Sequence, residues 1–595
     1  MSYATRRKPR VAWMSRLVFG LIAIMLVQTA GIAAAQDATP SASPVASPQA
    51  SPQASPVAGG GPLELAEIPR NPGREQPGAV PDATMTLNLG NEVTTIDPQV
   101  TWFVIEIGIA SKVYVPLLQL NEENALAGGG ADGVTVSGDG MVYTFHIREG
   151  MTYSDGQPVT AANYAYAIKR ACSPAVAGNY SNILYAVDGC QAWREADPAA
   201  GETAALEAAF DEAVVAIDDQ TLEVHLAFGA GYFPYVMTTW VTYPVREDLV
   251  GDDPEWWRTV ENYVGNGPFR LTRHVEDQEW VFERNDSYFR GAPGIQTLIY
   301  RIVTSAETEL LAYQQGEFDM IAPSSTLLPQ IEGDPALSAQ LLRSVGASTS
   351  YIGFNNAAAP FDNLLVRQAF AAALNREQYV QQVLNGVNVP AGTFLHEGVP
   401  GYQTEYQQTY DPERAQQLLA EAGYPEGQGF PTLQLYYNSE SAVSQQVATY
   451  WAQSLQQTLG VTIEPTPIDV AQLSEMIASR DPQLIIWFNF WVEDYPHPQN
   501  WLSMVFGPGS TTAPLGWENQ EFFDLVTRAD TMPLEEALPL YSRADALLAE
   551  QAPVAFTIHS EGLVLISPQV QGYVTYPTDV VDMRYQIEKI YMVAE

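Results

Sequence analysis

Short stretches of the chain alternate between apolar and polar positions, and one longer stretch is continuously apolar. The alternation in residues 84–89 and 141–148 predicts half-buried β-strands. Residues 485–492 are almost all apolar or aromatic, which is typical of a strand buried within a sheet. This run ends abruptly at two adjacent carboxylates, Glu493 and Asp494. The pattern therefore predicts a buried strand that delivers acidic groups to a loop at its end.

Helical spacing of apolar residues alternates with these strands. Residues 307–315 form an amphipathic pattern, and Asp362 precedes a second one as a candidate N-cap. A third helix is expected over residues 411–423, because Pro412 stands in its first turn and Gly423 just past its end. Strands mixed with helices in this way predict an α/β fold. The part of the chain from about residue 82 onwards has about 500 residues, which is too many for a single core, so two lobes are expected.

The N-terminus carries a targeting segment followed by a spacer. Basic residues, an apolar run and small residues at 33–35 predict a secretory signal over residues 1–35, and an uncleaved membrane anchor is the alternative. Residues 36–81 begin with Ala-Ser-Pro repeats and are expected to be a disordered linker. No Cys stands directly after the apolar run, so a Cys-anchored lipoprotein is not expected. The chain is predicted to be exported to the periplasm or the cell surface.

Composition excludes several classes of function. The formal net charge is −41, which argues against nucleic-acid binding because phosphate recognition needs concentrated Lys and Arg. The six histidines are scattered, and serine-hydrolase, zinc-protease and Cys-x-x-Cys motifs are missing. Glu493 and Asp494 are a poor catalytic pair, because neighbours on an extended strand point to opposite faces. The sequence therefore predicts neither an enzyme nor a metal site nor a cofactor.

Cys172 and Cys190 are the only cysteines. An exported chain meets an oxidising environment, so we expect them to form a disulfide bond. Two buried thiols are the alternative.

Several motifs resemble those of one family, in the same order along the chain. Residues 491–502 resemble the Trp-x-Ala-Asp-Tyr-x-x-Pro-x-x-Phe-Leu segment of the peptide- and nickel-binding extracellular solute-binding proteins of ABC importers. Residues 153–161 resemble that family's Trp-Ser-Asp-Gly-x-Pro-Val-Thr-Ala turn. Residues 265–271 and 351–369 provide further matches. The resemblance covers nearly all of the chain after the linker.

The resemblance implies a fold, a domain organisation and a function. The fold is a type II, two-lobed periplasmic-binding-protein-like fold with a hinge between the lobes. Lobe I would span residues 82–349 with a subdomain inserted at about 116–230, lobe II residues 350–565, and residues 566–595 would return to lobe I. The chain would act as a monomer at the membrane periphery, capturing oligopeptides or similar solutes and delivering them to an ABC permease and its ATPase. A receptor or sensor of the same fold is the alternative.

The family motif also implies ligand-binding residues. By position in the motif, Asp494 would pair with a ligand ammonium group and Trp491 would line a side-chain pocket. Tyr495 and Trp102 are expected to add walls, and backbone groups near Asn355 to pair with an extended ligand. Glu493 stands where the family usually has Ala, so either acid could face the ligand.

The sequence also departs from the family where a ligand carboxylate would bind. Peptide binders of the family carry an Arg a few residues before the Trp, whereas residues 487–490 here hold no basic residue. A polyamine-like cation, a nickel chelate or an oligosaccharide therefore stays open as the ligand.

Overall fold

The structure is a computed structural model that describes residues 60–71, 73–176, 178–439, 442–510, 516–574 and 587–594. The predicted signal segment and residues 36–59 of the predicted linker lie outside the described residues. Within these ranges, no helix combines the length and the apolar character needed to cross a membrane.

The strands of the described residues are, in chain order, β1 (Gly61–Pro62), β2 (Ala83–Asn88), β3 (Leu118–Leu120), β4 (Leu126–Gly128), β5 (Ala131–Val136), β6 (Val142–Ile147), β7 (Val214–Asp218), β8 (Thr221–His225), β9 (Phe269–Val275), β10 (Glu279–Arg284), β11 (Ile295–Arg301), β12 (Met320–Ile321), β13 (Leu341–Phe354), β14 (Val389–Pro390), β15 (Leu433–Asn438), β16 (Ile463–Ile468), β17 (Ile486–Val492), β18 (Val554–Ile566), β19 (Val570–Gln571) and β20 (Tyr591–Met592).

The α-helices of the same ranges are α1 (Val104–Val113), α2 (Ala161–Cys172), α3 (Cys190–Arg194), α4 (Thr203–Asp211), α5 (Phe233–Val236), α6 (Glu247–Val250), α7 (Ala306–Gln314), α8 (Leu328–Gly333), α9 (Pro335–Ser338), α10 (Leu364–Ala372), α11 (Arg376–Val383), α12 (Pro412–Glu421), α13 (Ala442–Leu459), α14 (Val470–Ala478), α15 (Pro498–Phe506), α16 (Gln520–Asp530) and α17 (Leu534–Gln551).

One mixed sheet runs through both lobes. Its strand order is β16-β15-β17-β13-β18-β12-β2-β11-β10-β9, with β14 added beside β18. A second, antiparallel sheet has the order β1-β5-β6-β8-β7 and lies in the region predicted as the inserted subdomain. Buried apolar side chains form separate cores, one drawn mainly from residues 83–320 and two from residues 351–558. The fold is therefore α/β with two lobes, as the sequence predicts.

Two long strands connect the lobes. β13 has 14 residues and β18 has 13, and they pair antiparallel along most of their length. The C-terminal end of β18 pairs with β12 in lobe I, whereas β13 pairs with β17 in lobe II. These two paired strands are therefore segments through which the chain crosses between the lobes.

The predicted boundary of the linker is wrong from residue 60 onwards. β1 pairs with β5, and the Leu63 N–H donates to the Val134 carbonyl at 2.8 Å. Leu63 and Leu65 also pack against the core of lobe I. These leucines provide the apolar surface that the Ala-Ser-Pro repeats lack, so this part of the chain is bound to the fold.

Cys172 and Cys190 form a disulfide bond, in agreement with the sequence prediction. The bond joins the end of α2 to the start of α3 and closes a loop with a sequence separation of 18. Cross-linking a loop of this size stabilises a fold by about 3 kcal/mol, chiefly by restricting the unfolded chain.

Replacing both cysteines by serine is expected to lower the free energy of unfolding by about 3 kcal/mol. The measurement is urea unfolding of the double variant and of the wild type under non-reducing conditions. A reduced wild-type protein is the matched control and should unfold like the variant. Equal unfolding midpoints for the variant and the oxidised wild type would contradict the expectation.

Candidate functional site

The candidate site is the loop between β17 and α15. β17 ends at Val492, and α15 begins at Pro498 with His497 as its N-cap. The side chains of Glu493, Asp494 and Tyr495 are all at least nine-tenths buried. The loop therefore presents two carboxylates away from bulk water, where a charge pair is stronger than at the surface.

Each acidic side chain has a hydrogen-bond donor from α15. Trp501 Nε1 donates to Glu493 Oε2 at 2.8 Å, and Asn500 Nδ2 donates to Asp494 Oδ2 at 2.9 Å. Both donors come from residues with no exposed surface. The loop geometry is thus set by the first turn of the following helix.

Trp491 lies two residues before Glu493 on the same face of β17. It pairs with Thr349 across the sheet and packs in the core that contains Trp501. Its side chain is only 9% exposed, yet its indole N–H has no hydrogen-bond partner among the described residues. A buried donor without a partner is costly, so this N–H is suited to a ligand acceptor.

β17 has an open edge beside this site. The Glu493 N–H donates to the carbonyl of Ala347, and the Asn355 N–H donates to the carbonyl of Ile485. The main-chain N–H and C=O groups of the odd-numbered residues of β17 therefore point to β13. Those of the even-numbered residues point to the other edge, where β15 pairs only as far as Trp487.

The main-chain groups of Phe490 and Val492 point to this open edge. Within the described ranges, β15 does not pair with either residue, and neither main chain is hydrogen-bonded outside the sheet. An extended ligand backbone can therefore pair with them as an added strand.

The loop also lies where the two lobes touch. Tyr495 belongs to lobe II by sequence but packs in the core of lobe I. The ring of His497 lies 5.2 Å from the ring of Tyr235 and 6.3 Å from that of Tyr232. The Gly231 N–H donates to the carbonyl of Asp530 at 2.8 Å. Tyr232 and Tyr235 of lobe I thus lie beside His497 at the end of the acidic loop.

Burial determines the protonation states of His497 and Asp530 at this contact. Burial lowers the pKa of His497 to about 3, so the ring is neutral at physiological pH and adds no competing cation. Burial raises the pKa of Asp530 to about 7, although Ser503 and Tyr541 both donate to its Oδ1. Folding therefore favours the protonated form of Asp530.

An Asp530→Asn variant is expected to change the pH dependence of stability. A raised pKa makes a stabilising contribution below pH 4, and this is lost as the pH rises towards 7. The wild type should lose about 3 kcal/mol between pH 5 and pH 8 through this group, and the variant should not. Urea unfolding of both proteins at the two pH values measures the difference. An identical pH dependence would contradict the assignment.

The structure does not support the expectation for Asn355. Its N–H donates to Ile485, its Nδ2 donates to Leu484, and its Oδ1 accepts from Ala357. β13 is also paired on both edges, with β17 and with β18. A ligand strand near Asn355 was therefore the wrong expectation, because the pairing groups are already used.

Trp102 lies at the start of α1, on lobe I. Its ring is 4.3 Å from that of Phe103, and both side chains are partly exposed, at 38% and 41%. The preceding Thr101 carbonyl accepts a hydrogen bond from Trp240 Nε1, which fixes the loop. The structure gives no contact between Trp102 and the acidic loop, so its role as a wall stays a prediction.

Sequence reasoning missed four contributors to this region: Gly231, His497, Asn500 and Asp530. Asn500 had a usable signal, because an amide side chain next to Trp501 and Leu502 in a largely apolar helix needs a hydrogen-bond partner when it is buried. Gly231 had none, because nothing local distinguishes it from other glycines. Among the described residues, no group of three or more His, Cys, Asp or Glu is arranged to hold a metal ion.

Comparisons with known proteins give consistent results. Residues 125–513 match the family described as bacterial extracellular solute-binding proteins, family 5 Middle. The oligopeptide-binding protein OppA of Bacillus subtilis is 27% identical over 490 residues, covering 79% of this chain and 86% of OppA. Heme-binding protein A of Haemophilus influenzae is 28% identical over 470 residues, covering 75% and 81%. The solved structure of the murein tripeptide binding protein MppA of Escherichia coli has a TM-score of 0.73 at 22% identity, covering 87% of this chain and all of MppA.

Proposed function

The chain belongs to the bacterial extracellular solute-binding proteins of family 5, and we propose that it is the substrate-binding component of an ABC importer that captures peptides with a free amino terminus. The ligand would be bound between the lobes and passed to a membrane permease with its ATPase. The protein would act as an exported monomer and would carry out no chemical reaction on its ligand.

The observation that carries this proposal is the position of Asp494 at the end of a strand with an open edge. Phe490 and Val492 offer main-chain donors and acceptors on that edge, and Asp494 follows two residues later. A peptide paired along the edge brings its terminal ammonium group to the carboxylate. Main-chain pairing tolerates many side chains, so it suits a general peptide binder.

The charges near the loop support a cationic group. Asp494 is nine-tenths buried, so its attraction for an ammonium group is screened less than at the surface. His497 is held neutral by burial. Trp491 adds an aromatic face and a buried N–H without a partner. Relatives named as oligopeptide- and dipeptide-binding proteins agree with a peptide ligand.

Native mass spectrometry of the purified chain with a random pentapeptide library tests this function. The library is offered once with free amino termini and once N-acetylated. The expected result is a ladder of bound peptide masses from the free library only. A chain that binds neither library, or that retains one defined non-peptide compound from the cell, would overturn the proposal.

A further inference from the structure

Three neighbouring side chains on α15 hold three neighbouring residues of the acidic loop. The pairs are Gln499 with Tyr495, Asn500 with Asp494 and Trp501 with Glu493. The order along the helix is opposite to the order along the loop. The first turn of α15 therefore binds the loop through one side-chain pair for each loop residue.

The central pair differs from its neighbours because Asn500 binds Asp494 twice. Asn500 Oδ1 accepts the main-chain N–H of Asp494 at 2.9 Å, and Asn500 Nδ2 donates to Asp494 Oδ2 at 2.9 Å. Asn500 is completely buried, so the amide cannot swing away into water. The main chain and the carboxylate of Asp494 are thus fixed by a single side chain.

The neighbouring acid, Glu493, has a different hydrogen-bond donor. Glu493 is 3% exposed, and its Oε2 accepts from the indole N–H of Trp501, a residue of the lobe II core. Its main-chain N–H continues the pairing of β17 with β13 at Ala347. Glu493 therefore belongs to the end of the strand, whereas Asp494 is the first residue that leaves it.

We propose that Asn500 is the positioning residue of the ligand anchor, and that the Asn500–Trp501 pair decides which of the two acids meets the ligand. Asn500 orients the Asp494 carboxylate towards the ammonium group, while Trp501 keeps Glu493 in the core. This inference rests on the proposed function, in which Asp494 binds the ligand's amino terminus.

One physical effect follows from the Asn500 contacts. A hydrogen bond to a charged group contributes enough to orient the carboxylate, and its loss weakens ligand binding by about 10-fold or more.

The test measures half-saturation by the random pentapeptide library at pH 7, read as the rise in unfolding temperature, once with free amino termini and once N-acetylated. Asn500→Ala is expected to need about 10-fold more of the free library or more, and to distinguish the two libraries less than the wild type does. Asn500→Asp keeps the size of the side chain but removes the amide donor, so it should weaken binding in the same direction.

Asn356→Ala is the matched control for simple loss of a buried amide. Asn356 is buried in lobe II, and its Nδ2 donates to the carbonyls of Phe354 and Pro553. This variant should lower the unfolding temperature but keep the wild-type half-saturation and the wild-type preference for free amino termini. The same pattern in Asn500→Ala would show that Asn500 is only structural.

The outcomes separate the inference from the function on which it rests. If Asp494→Asn removes binding but both Asn500 variants bind like the wild type, the positioning role is wrong and the anchor stands. If Asp494→Asn binds like the wild type, or the wild type itself ignores the library, the proposed anchor fails and the positioning role fails with it.

Discussion

Asp494→Asn is expected to weaken the binding of free-amino peptides by about 100-fold or more. Removing one partner of a buried charge pair costs roughly 3 to 5 kcal/mol, and each 1.4 kcal/mol is about tenfold in affinity. The substitution keeps the size of the side chain, and its carbonyl oxygen can still accept from Asn500. The ligand ammonium group then meets a neutral amide. Isothermal titration calorimetry with a peptide selected by native mass spectrometry measures the loss.

Asp469→Asn is the control for this prediction. It removes the same charge from lobe II, at the exposed N-cap of α14, where Asn and Asp serve equally well. Its peptide affinity should equal that of the wild type. A variant pair in which Glu493→Gln loses binding and Asp494→Asn keeps it would assign the anchor to Glu493 instead.

Gly231→Ala is expected to prevent full contact between the lobes and to weaken peptide binding by at least about 10-fold. A Cβ at this position would lie 2.0 Å from the carbonyl oxygen of Met532, which is main chain and has little room to move. The Gly231 N–H also donates to Asp530 in the same contact. Binding and closure are linked, so a penalty on the closed state reduces affinity by the same free energy.

Small-angle X-ray scattering with and without peptide measures the effect of Gly231→Ala. The wild type should become more compact on adding peptide, and the variant should change less. Gly138→Ala is the matched control, because a Cβ there meets no atom within 4 Å. Wild-type affinity and compaction in Gly231→Ala would show that this contact is not part of the closed state.

The regular elements were largely predictable because their patterns are local. The alternation in residues 84–89 became β2, and the apolar run of residues 485–492 became β17. The helix expected over residues 411–423 became α12, and Asp411 caps it by accepting from Arg414 N. For α10 the cap is Asn363 and not Asp362. Both residue types cap helices well, so only the backbone geometry decides between adjacent candidates.

The acidic end of β17 was predictable from the sequence, but the residues that surround it were not. The end of an apolar run pointed to Asp494 and Glu493 from the sequence alone. The pairing of α15 with the loop depends on how the chain reverses direction after β17. No local residue pattern predicts that geometry. The contact at Gly231 joins positions about 300 residues apart, and the open edge of β17 depends on where β15 stops pairing.

The failed expectation at Asn355 has the same origin. The residues just before Asn355 do form a strand, β13, which crosses between the lobes. The number of neighbours that a strand acquires is a property of the whole sheet. β13 is central and leaves no free edge, whereas β17 next to it does. Free main-chain groups therefore lie one strand away from the predicted place.

The most direct test of the central claim is a calorimetric titration of the wild-type chain with one selected peptide in two forms, with a free and with an acetylated amino terminus. The two forms differ only in the group that Asp494 is proposed to bind. A loss of affinity of about 100-fold or more on acetylation is the predicted result. Equal affinity for both forms would contradict an ammonium anchor at Asp494 and, with it, the account of how this chain captures its ligand.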